Sequence, residues 1–298
     1  MRVRATLRRL QDPRWRRFYF QRRFMNPRLR AWVADRIART RRTPPPSDLP
    51  AAAMAAELKE IGQLNLGYLL TPAQCAEVRD FFAARPAEDQ YHPERPAFDP
   101  LGPDRDPNCH VANHRDEDII AAPYLMELAN DPRVVEVLHQ YFGCRPLISY
   151  LGVWWSYPTP LAPQQAENFH RDVDDWRFIK LFVYLTDVGP DSGPHVYVKA
   201  SADARAALRI RRYGDDEVAD MFGRQAITAQ ISRAGTAFLE NTFGVHKGQQ
   251  PSGGTRLIFQ VVYSLSPLPY GPVAPVGRFA ERLYGTGANA EMNRIYLA

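Results

Sequence analysis

Cysteine is nearly missing from this 298-residue chain: Cys75, Cys109 and Cys144 are the whole set, with no C-x-x-C pair among them. An odd, scattered set argues against a disulfide framework and a structural zinc site, and makes a reducing compartment the expectation. No run of about 18 apolar residues occurs, which argues against a transmembrane helix. The first residues also lack the continuous apolar stretch of a secretory signal. The expected location is therefore cytoplasmic. Internal repeats and low-complexity tracts are absent as well.

Acidic residues are scarce at the start. Residues 1–42 contain Asp12 and Asp35 against 15 arginines, a net of +13, which leaves −8 for residues 43–298 of the total +5. The basic character thus belongs to an N-terminal arm. Within it Trp15, Phe18 and Tyr19 fall at i, i+3, i+4, and Leu29, Trp32 and Val33 repeat the spacing before Ile37. Pro13 and Pro27 divide the arm into short amphipathic helices. Two readings stand. Either the apolar faces pack on the body and the arginines are solvated, or a basic and aromatic surface lies peripherally on the inner face of an anionic membrane or binds acidic polymers. Specific nucleic-acid recognition is not expected. A mitochondrial transit peptide is disfavoured, because serine is absent here and prolines interrupt the pattern.

What is present describes a packed globular protein: 45% hydrophobic and 24% charged residues, with 26 prolines favouring turns and short strands. The stretch 43–50, Thr-Pro-Pro-Pro-Ser-Asp-Leu-Pro, reads as a stiff polyproline linker. Residues 51–298 form the main domain, with helical support over 51–146, a β core over about 147–267 and a tail over 268–298. Ala51 to Ile61 is a helix and Leu66 to Leu70 a short strand. Thr71, Pro72 and Gln74 supply an N-cap, an N1 proline and a capping-box partner for a helix burying Val78, Phe81 and Phe82. Asp131 and Pro132 open another, which buries Val134, Val135, Leu138, Tyr141 and Phe142 and stops at Gly143. Strands are expected over 147–157, 178–185, 195–198, 226–232, 236–239 and 256–265, with a helical insertion over 201–223. Many short strands rich in β-branched and aromatic residues predict a sandwich or barrel with flanking helices.

One constellation carries chemistry. His170 and Asp172 form H-x-D, and period 2 in an extended segment points both side chains the same way. His246 follows the strand-like Thr236-Ala237-Phe238-Leu239 and comes from a distant part of the chain. Two imidazoles and one carboxylate on one face are the ligand set of a ferrous ion that keeps three positions open for oxygen chemistry. Arg256 lies ten residues after His246 and opens the strand Arg256-Leu257-Ile258-Phe259-Gln260-Val261-Val262-Tyr263. From there its guanidinium can hold the distal carboxylate of 2-oxoglutarate in a bidentate fork. H-x-D alone is weak evidence; the ordered set of four is much more specific.

With these residues the sequence resembles the phytanoyl-CoA dioxygenase family, over roughly Leu58 to Pro267. The resemblance rests on His170-Arg171-Asp172, the run Phe178 to Val188, Ser192-Gly193-Pro194-His195-Val196-Tyr197-Val198, His246-Lys247-Gly248 and Arg256. Gly67-Tyr68-Leu69-Leu70-Thr71 also looks like that family's N-terminal element. It implies a mainly β fold: a double-stranded β-helix (jelly-roll, cupin-like) core with flanking α-helices, α+β overall. It also implies a non-haem Fe(II)- and 2-oxoglutarate-dependent dioxygenase that uses O2, hydroxylates a small-molecule or lipid-like substrate and releases succinate and CO2. His170, Asp172 and His246 are the implied iron ligands. Where family members carry a Gly-Ser-His turn this chain has Lys199-Ala200-Ser201-Ala202, which touches loop shape and substrate contact rather than the metal. Halogenating relatives replace the ligand carboxylate with a small residue; Asp172 is intact, which favours hydroxylation. Desaturation, ring formation and epimerisation use the same ligands and stay open. The substrate is not implied by the family name.

Around this set, Lys180 stands among apolar strand residues and is read as meeting a 2-oxoglutarate carboxylate or an acidic side chain. Gln260 shares strand parity with Arg256 and lines the pocket or faces outward. Tyr150, Trp154 and Trp155 are candidate walls of a substrate site or plain core, and His195 is placed near the pocket by the turn before it. Asp174 and Asp175 read as capping or loop carboxylates. Cys109, His110 and His114 imitate a small metal site, with a substrate contact from this loop the better reading. A non-catalytic jelly-roll scaffold recruited through the basic arm is the alternative from another class. A cupin-like isomerase or sugar-binding module is disfavoured by Arg256.

Overall fold

A computed structural model describes residues 11–41 and 50–298. Apart from Pro50, the expected polyproline linker lies outside them. The helices are Pro13–Gln21 (α1), Pro27–Arg39 (α2), Ala51–Ile61 (α3), Pro72–Ala83 (α4), Asp116–Ala121 (α5), Leu125–Ala129 (α6), Pro132–Phe142 (α7), Asp215–Phe222 (α8), Phe279–Arg282 (α9) and Ala290–Asn293 (α10). The strands are Gln63–Tyr68 (β1), Glu88–Asp89 (β2), Val111–Asn113 (β3), Leu147–Ser156 (β4), Phe178–Tyr184 (β5), His195–Val198 (β6), Ile227–Gln230 (β7), Thr236–Glu240 (β8), His246–Gly248 (β9) and Arg256–Ser264 (β10).

Four helices start by one device, a short polar residue followed by proline. Asp12, Asn26, Thr71 and Asp131 each accept a backbone N–H of the first turn, and the proline after each needs no partner for a missing N–H. At Thr71 the capping box is complete: Gln74 N–H donates to Thr71 Oγ1 at 3.2 Å, and Thr71 N–H donates to Gln74 Oε1 at 2.9 Å. Helix α7 ends at Gly143 in the left-handed region, φ +68°. Its buried stripe is Val134, Val137, Leu138, Tyr141 and Phe142. Val135 is only half-buried, because it sits about a quarter-turn off that stripe.

Seven strands form one antiparallel sheet in the order β1-β8-β5-β10-β4-β3-β2, and β7-β6-β9 form a second, smaller one. Every residue of β5 and β10 is buried, since helices cover one face of the large sheet and the small sheet covers the other. This is the double-stranded β-helix, with flanking helices, expected from the sequence. Strand β1 starts earlier than expected and stops at Tyr68, because its partner β8 begins opposite, at Thr236. The insertion over 201–223 holds a short 3₁₀ turn and α8 rather than one continuous helix.

The reading of Cys109, His110 and His114 as a metal site is overturned. His114 Nε2 accepts the indole N–H of Trp155 at 3.1 Å, and His110 Nδ1 meets Glu167 Oε2 at 2.8 Å. Burial pushes His114 down to about 4 from its ordinary value of 6.5. A folded pKa below the unfolded one means stability fully present above pH 6.5 and lost as pH falls toward 4. The loss at pH 5 should be about 2 kcal/mol from this group. In His114→Asn, whose amide oxygen still accepts from Trp155, unfolding curves between pH 7.5 and 5 should show a correspondingly shallower decline. An unchanged slope would show that His114 is not held neutral.

Candidate metal centre

The residues after the turn Gln165–Glu167 run extended and pair with β9, although neither stretch is near the other in sequence. His170 and His246 face each other across an antiparallel bridge: His170 N–H donates to His246 O at 2.9 Å and His246 N–H returns the bond at 3.0 Å. Asp172 N–H donates to Thr242 O at 2.9 Å and ties the next residues, out of register, to the same segment. Directly opposed residues project from the same face of a sheet, and so do residues two apart on one strand. One stretch of strand pairing therefore brings His170, Asp172 and His246 together. The two imidazole rings lie 4.3 Å apart, and one ligand atom from each of the three residues lies within 4.8 Å of the others.

The tautomers are set by the backbone. His170 Nδ1 is 2.9 Å from Asn168 O, and His246 Nδ1 is 3.0 Å from Gly244 O. A carbonyl can only accept, so each Nδ1 carries a hydrogen, and each ring is turned so that Nε2 is the atom facing the cluster. Both Nε2 atoms turn toward Asp172, at 3.5 Å for His170 and 3.2 Å for His246. Burial pushes His246 down to about 4, with help from His170. Burial alone would raise Asp172, but the Lys180 ammonium and His246 outweigh it and hold the carboxyl well below its usual range. At neutral pH the group thus offers a neutral imidazole and a carboxylate, the forms a divalent metal takes.

Lys180 Nζ is 2.6 Å from Asp172 Oδ2 and 3.4 Å from Asp174 Oδ2. Of the two partners read for it, the acidic side chain is the one present. Asp174 is a loop carboxylate, as read, but it caps nothing and faces Lys180 instead. Asp175 ties the loop down: its two oxygens accept Trp176 N–H at 2.8 Å and Ser266 N–H at 2.6 Å, and burial pushes it up to about 6.

The cluster opens into a cavity of about 390 Å³ between the two sheets. Tyr150, Trp154, Lys180, His195, Arg256 and Gln260 all line it. Trp155 does not; it is buried on the other face of β4 and bonds His114, as strand alternation from Trp154 requires. Arg256 is buried, donating to Ser156 Oγ at 3.0 Å and to Gly193 O. Its Nε has no hydrogen-bond partner, and no carboxylate lies within ion-pair distance among the described residues. His195 Nε2 lies 2.7 Å from Glu240 Oε1, while Gln63 donates to Glu240 Oε2 at 2.8 Å. Burial lifts Glu240 to about 8, and burial with Arg256 drives His195 well below its ordinary value. Burial thus favours the neutral form of both partners across this contact.

Sequence reasoning missed Glu240, Glu167 and Tyr270. A glutamate closing the apolar strand 236–240 was a usable signal, because a charge in a buried strand needs a partner. Glu167 and Tyr270 sit in turns with no such signature, yet both line the cavity.

No family model matches the sequence, and no curated protein is found similar to it. Solved structures do share the fold. The non-haem α-ketoglutarate-dependent epimerase SnoN from nogalamycin biosynthesis matches with a TM-score of 0.51 and 18% identity, covering 83% of this chain and 92% of that one. The same epimerase in complex with Fe³⁺, α-ketoglutarate and nogalamycin RO matches at 0.50 and 19%, covering 83% and 95%. Apo EctD from S. alaskensis matches at 0.50 and 17%, covering 74% and 80%. At these identities the likeness is one of fold. The chain thus combines the fold of non-haem 2-oxoglutarate-dependent enzymes with a His–Asp–His group, its histidines buried and its aspartate half-buried, that could hold a metal ion.

Proposed function

We propose that this chain is an Fe(II)- and 2-oxoglutarate-dependent dioxygenase of the phytanoyl-CoA dioxygenase type, hydroxylating a small-molecule or lipid-like substrate. The observation that carries this reading is a pairing within one cavity. Three ligand atoms suited to a divalent ion share it with a buried guanidinium that has no carboxylate at ion-pair distance among the described residues. An uncompensated buried charge is costly unless a ligand supplies its partner. The distal carboxylate of 2-oxoglutarate is such a partner, and the complex of SnoN with Fe³⁺ and α-ketoglutarate supports this ligand pair on the shared fold.

His170 Nε2, His246 Nε2 and Asp172 would hold the iron, and Arg256 the cosubstrate. The bound pair supplies oxidative decarboxylation of 2-oxoglutarate by O2, with succinate and CO2 as products and an oxidant delivered to substrate. The protein's own work is positioning. Lys180 orients the Asp172 carboxylate, and the Nδ1–H bonds to Asn168 and Gly244 fix both imidazole rings. Tyr150 and Trp154 wall the substrate side, and His195, held from behind by Glu240, completes the lining. A non-catalytic scaffold would have no need for ligand tautomers preset in this way.

Turnover tests the reading directly. Incubated aerobically with Fe(II), 2-oxoglutarate and a metabolite library, the protein should release succinate, with at least one compound raising the rate above the uncoupled background. Absence of any 2-oxoglutarate consumption, coupled or uncoupled, would overturn it.

A further inference from the structure

The arm docks on the body by an unexpected face. On α2 the buried residues are Pro27, Arg30, Ala34 and Ala38, and on α1 the buried residue is Gln21. Polar bonds hold them there: Gln21 Nε2 donates to Val173 O at 2.6 Å, and Arg30 donates to Asp175 O and stacks on Phe243. With 3.6 residues per turn, Leu29, Trp32 and Arg36 then lie on the opposite side of α2, away from the body. Trp32 is 57% exposed, Phe20 56%, Tyr19 43% and Leu29 38%. Arg16, Arg28, Arg36 and Arg39 are exposed beside them, with the Arg36 guanidinium 5.4 Å from the Trp32 ring. Neither helix is long and apolar enough to cross a membrane.

We propose that this outward face of α1 and α2 docks peripherally on an anionic lipid bilayer. Aromatic rings with a polar rim of arginines suit the headgroup boundary, where rings enter the apolar layer and guanidinium groups meet phosphates. The charge balance selects this occupant. Residues 1–42 carry +13, so a two-fold contact between copies through this face would set arginine against arginine. Leu29 and Trp32 therefore serve an outer surface, while the inner face of α2 is built from Pro27, Ala34, Ala38 and the bonded Arg30, with Ile37 packed at its edge. The proposal is independent of the metal chemistry.

Co-sedimentation of the full chain with vesicles tests it. At about 0.15 M salt the protein should pellet with phosphatidylcholine mixed with phosphatidylglycerol, and stay in solution with phosphatidylcholine alone. Leu29→Ser with Trp32→Ser should weaken the binding about tenfold or more. Each of Arg36→Gln and Arg39→Gln should weaken it about fivefold. These side chains are exposed, so thermal unfolding should be unchanged and the loss attributable to the surface. Any of three results would overturn the proposal: no binding to the anionic vesicles, equal binding to both vesicle types, or binding indifferent to the double substitution. A self-association abolished by the double substitution would identify the face as a contact between copies and overturn it too.

Discussion

His246→Ala should remove metal binding while leaving the fold in place. The side chain contributes one of three ligand atoms, and its backbone makes the reciprocal bonds to His170 that hold the two segments together. Alanine keeps those backbone bonds. Two ligands, His170 and Asp172, remain on one edge segment. Loss of a residue that merely orients a ligand already costs about 10- to 100-fold in affinity, so loss of the ligand itself should exceed about 100-fold. Anaerobic protein with Fe(II) and 2-oxoglutarate should show a weak visible charge-transfer band, and the variant should show none at matched concentrations. A band of full intensity in His246→Ala would place the metal elsewhere. Circular dichroism of the two proteins should coincide, which separates ligand loss from unfolding.

Arg256→Met should separate cosubstrate from metal. Removing one partner of a buried charged pair costs about 2–5 kcal/mol, so 2-oxoglutarate should bind about a hundredfold more weakly. Metal affinity should change by no more than a few-fold, because Arg256 touches no ligand residue; its donor bonds go to Ser156 and Gly193. Pyruvate, which lacks the distal carboxylate, should bind the variant and the parent alike. The stability effect has an unusual sign. Removing a buried charge that has no carboxylate at ion-pair distance should leave the ligand-free protein as stable as before or more so, whereas removing a closely paired one would destabilise it. Isothermal titration with both oxo acids, alongside thermal melts, checks all of this. An equal loss of pyruvate and 2-oxoglutarate binding would show that Arg256 shapes the pocket generally rather than gripping the far carboxylate.

Much of the architecture was legible locally. The polar-proline pairs at Asp12, Asn26, Thr71 and Asp131 announce helix starts, because capping and the missing proline N–H are settled within four residues. The strands at 147, 178, 195, 236 and 256 show as apolar runs between turn signals. Strands β2, β3 and β9, of two or three residues each, are too short to leave a period, and only their partners define them. The burial of Val137 over Val135, and of Trp155 away from the cavity, depends on which way each element is rotated against its neighbours.

The same division runs through the site. The sequence by itself determined the donor types and their order: an H-x-D with both side chains on one face, a distant histidine, and an arginine opening the last long strand. Those follow from chain geometry over a few residues. Tertiary structure alone decided that residues 170 and 246 pair directly, that Lys180 lies between Asp172 and Asp174, and that Glu240 is buried against His195. It also decided which side of α2 faces outward. Hydrophobic spacing marks a stripe on a helix but not its partner, and here the bonds made by Arg30 and Gln21 turn the alanines inward and leave Trp32 in solvent. Pairing, desolvation and rotation are properties of surfaces brought together from far along the chain, so no local pattern can carry them.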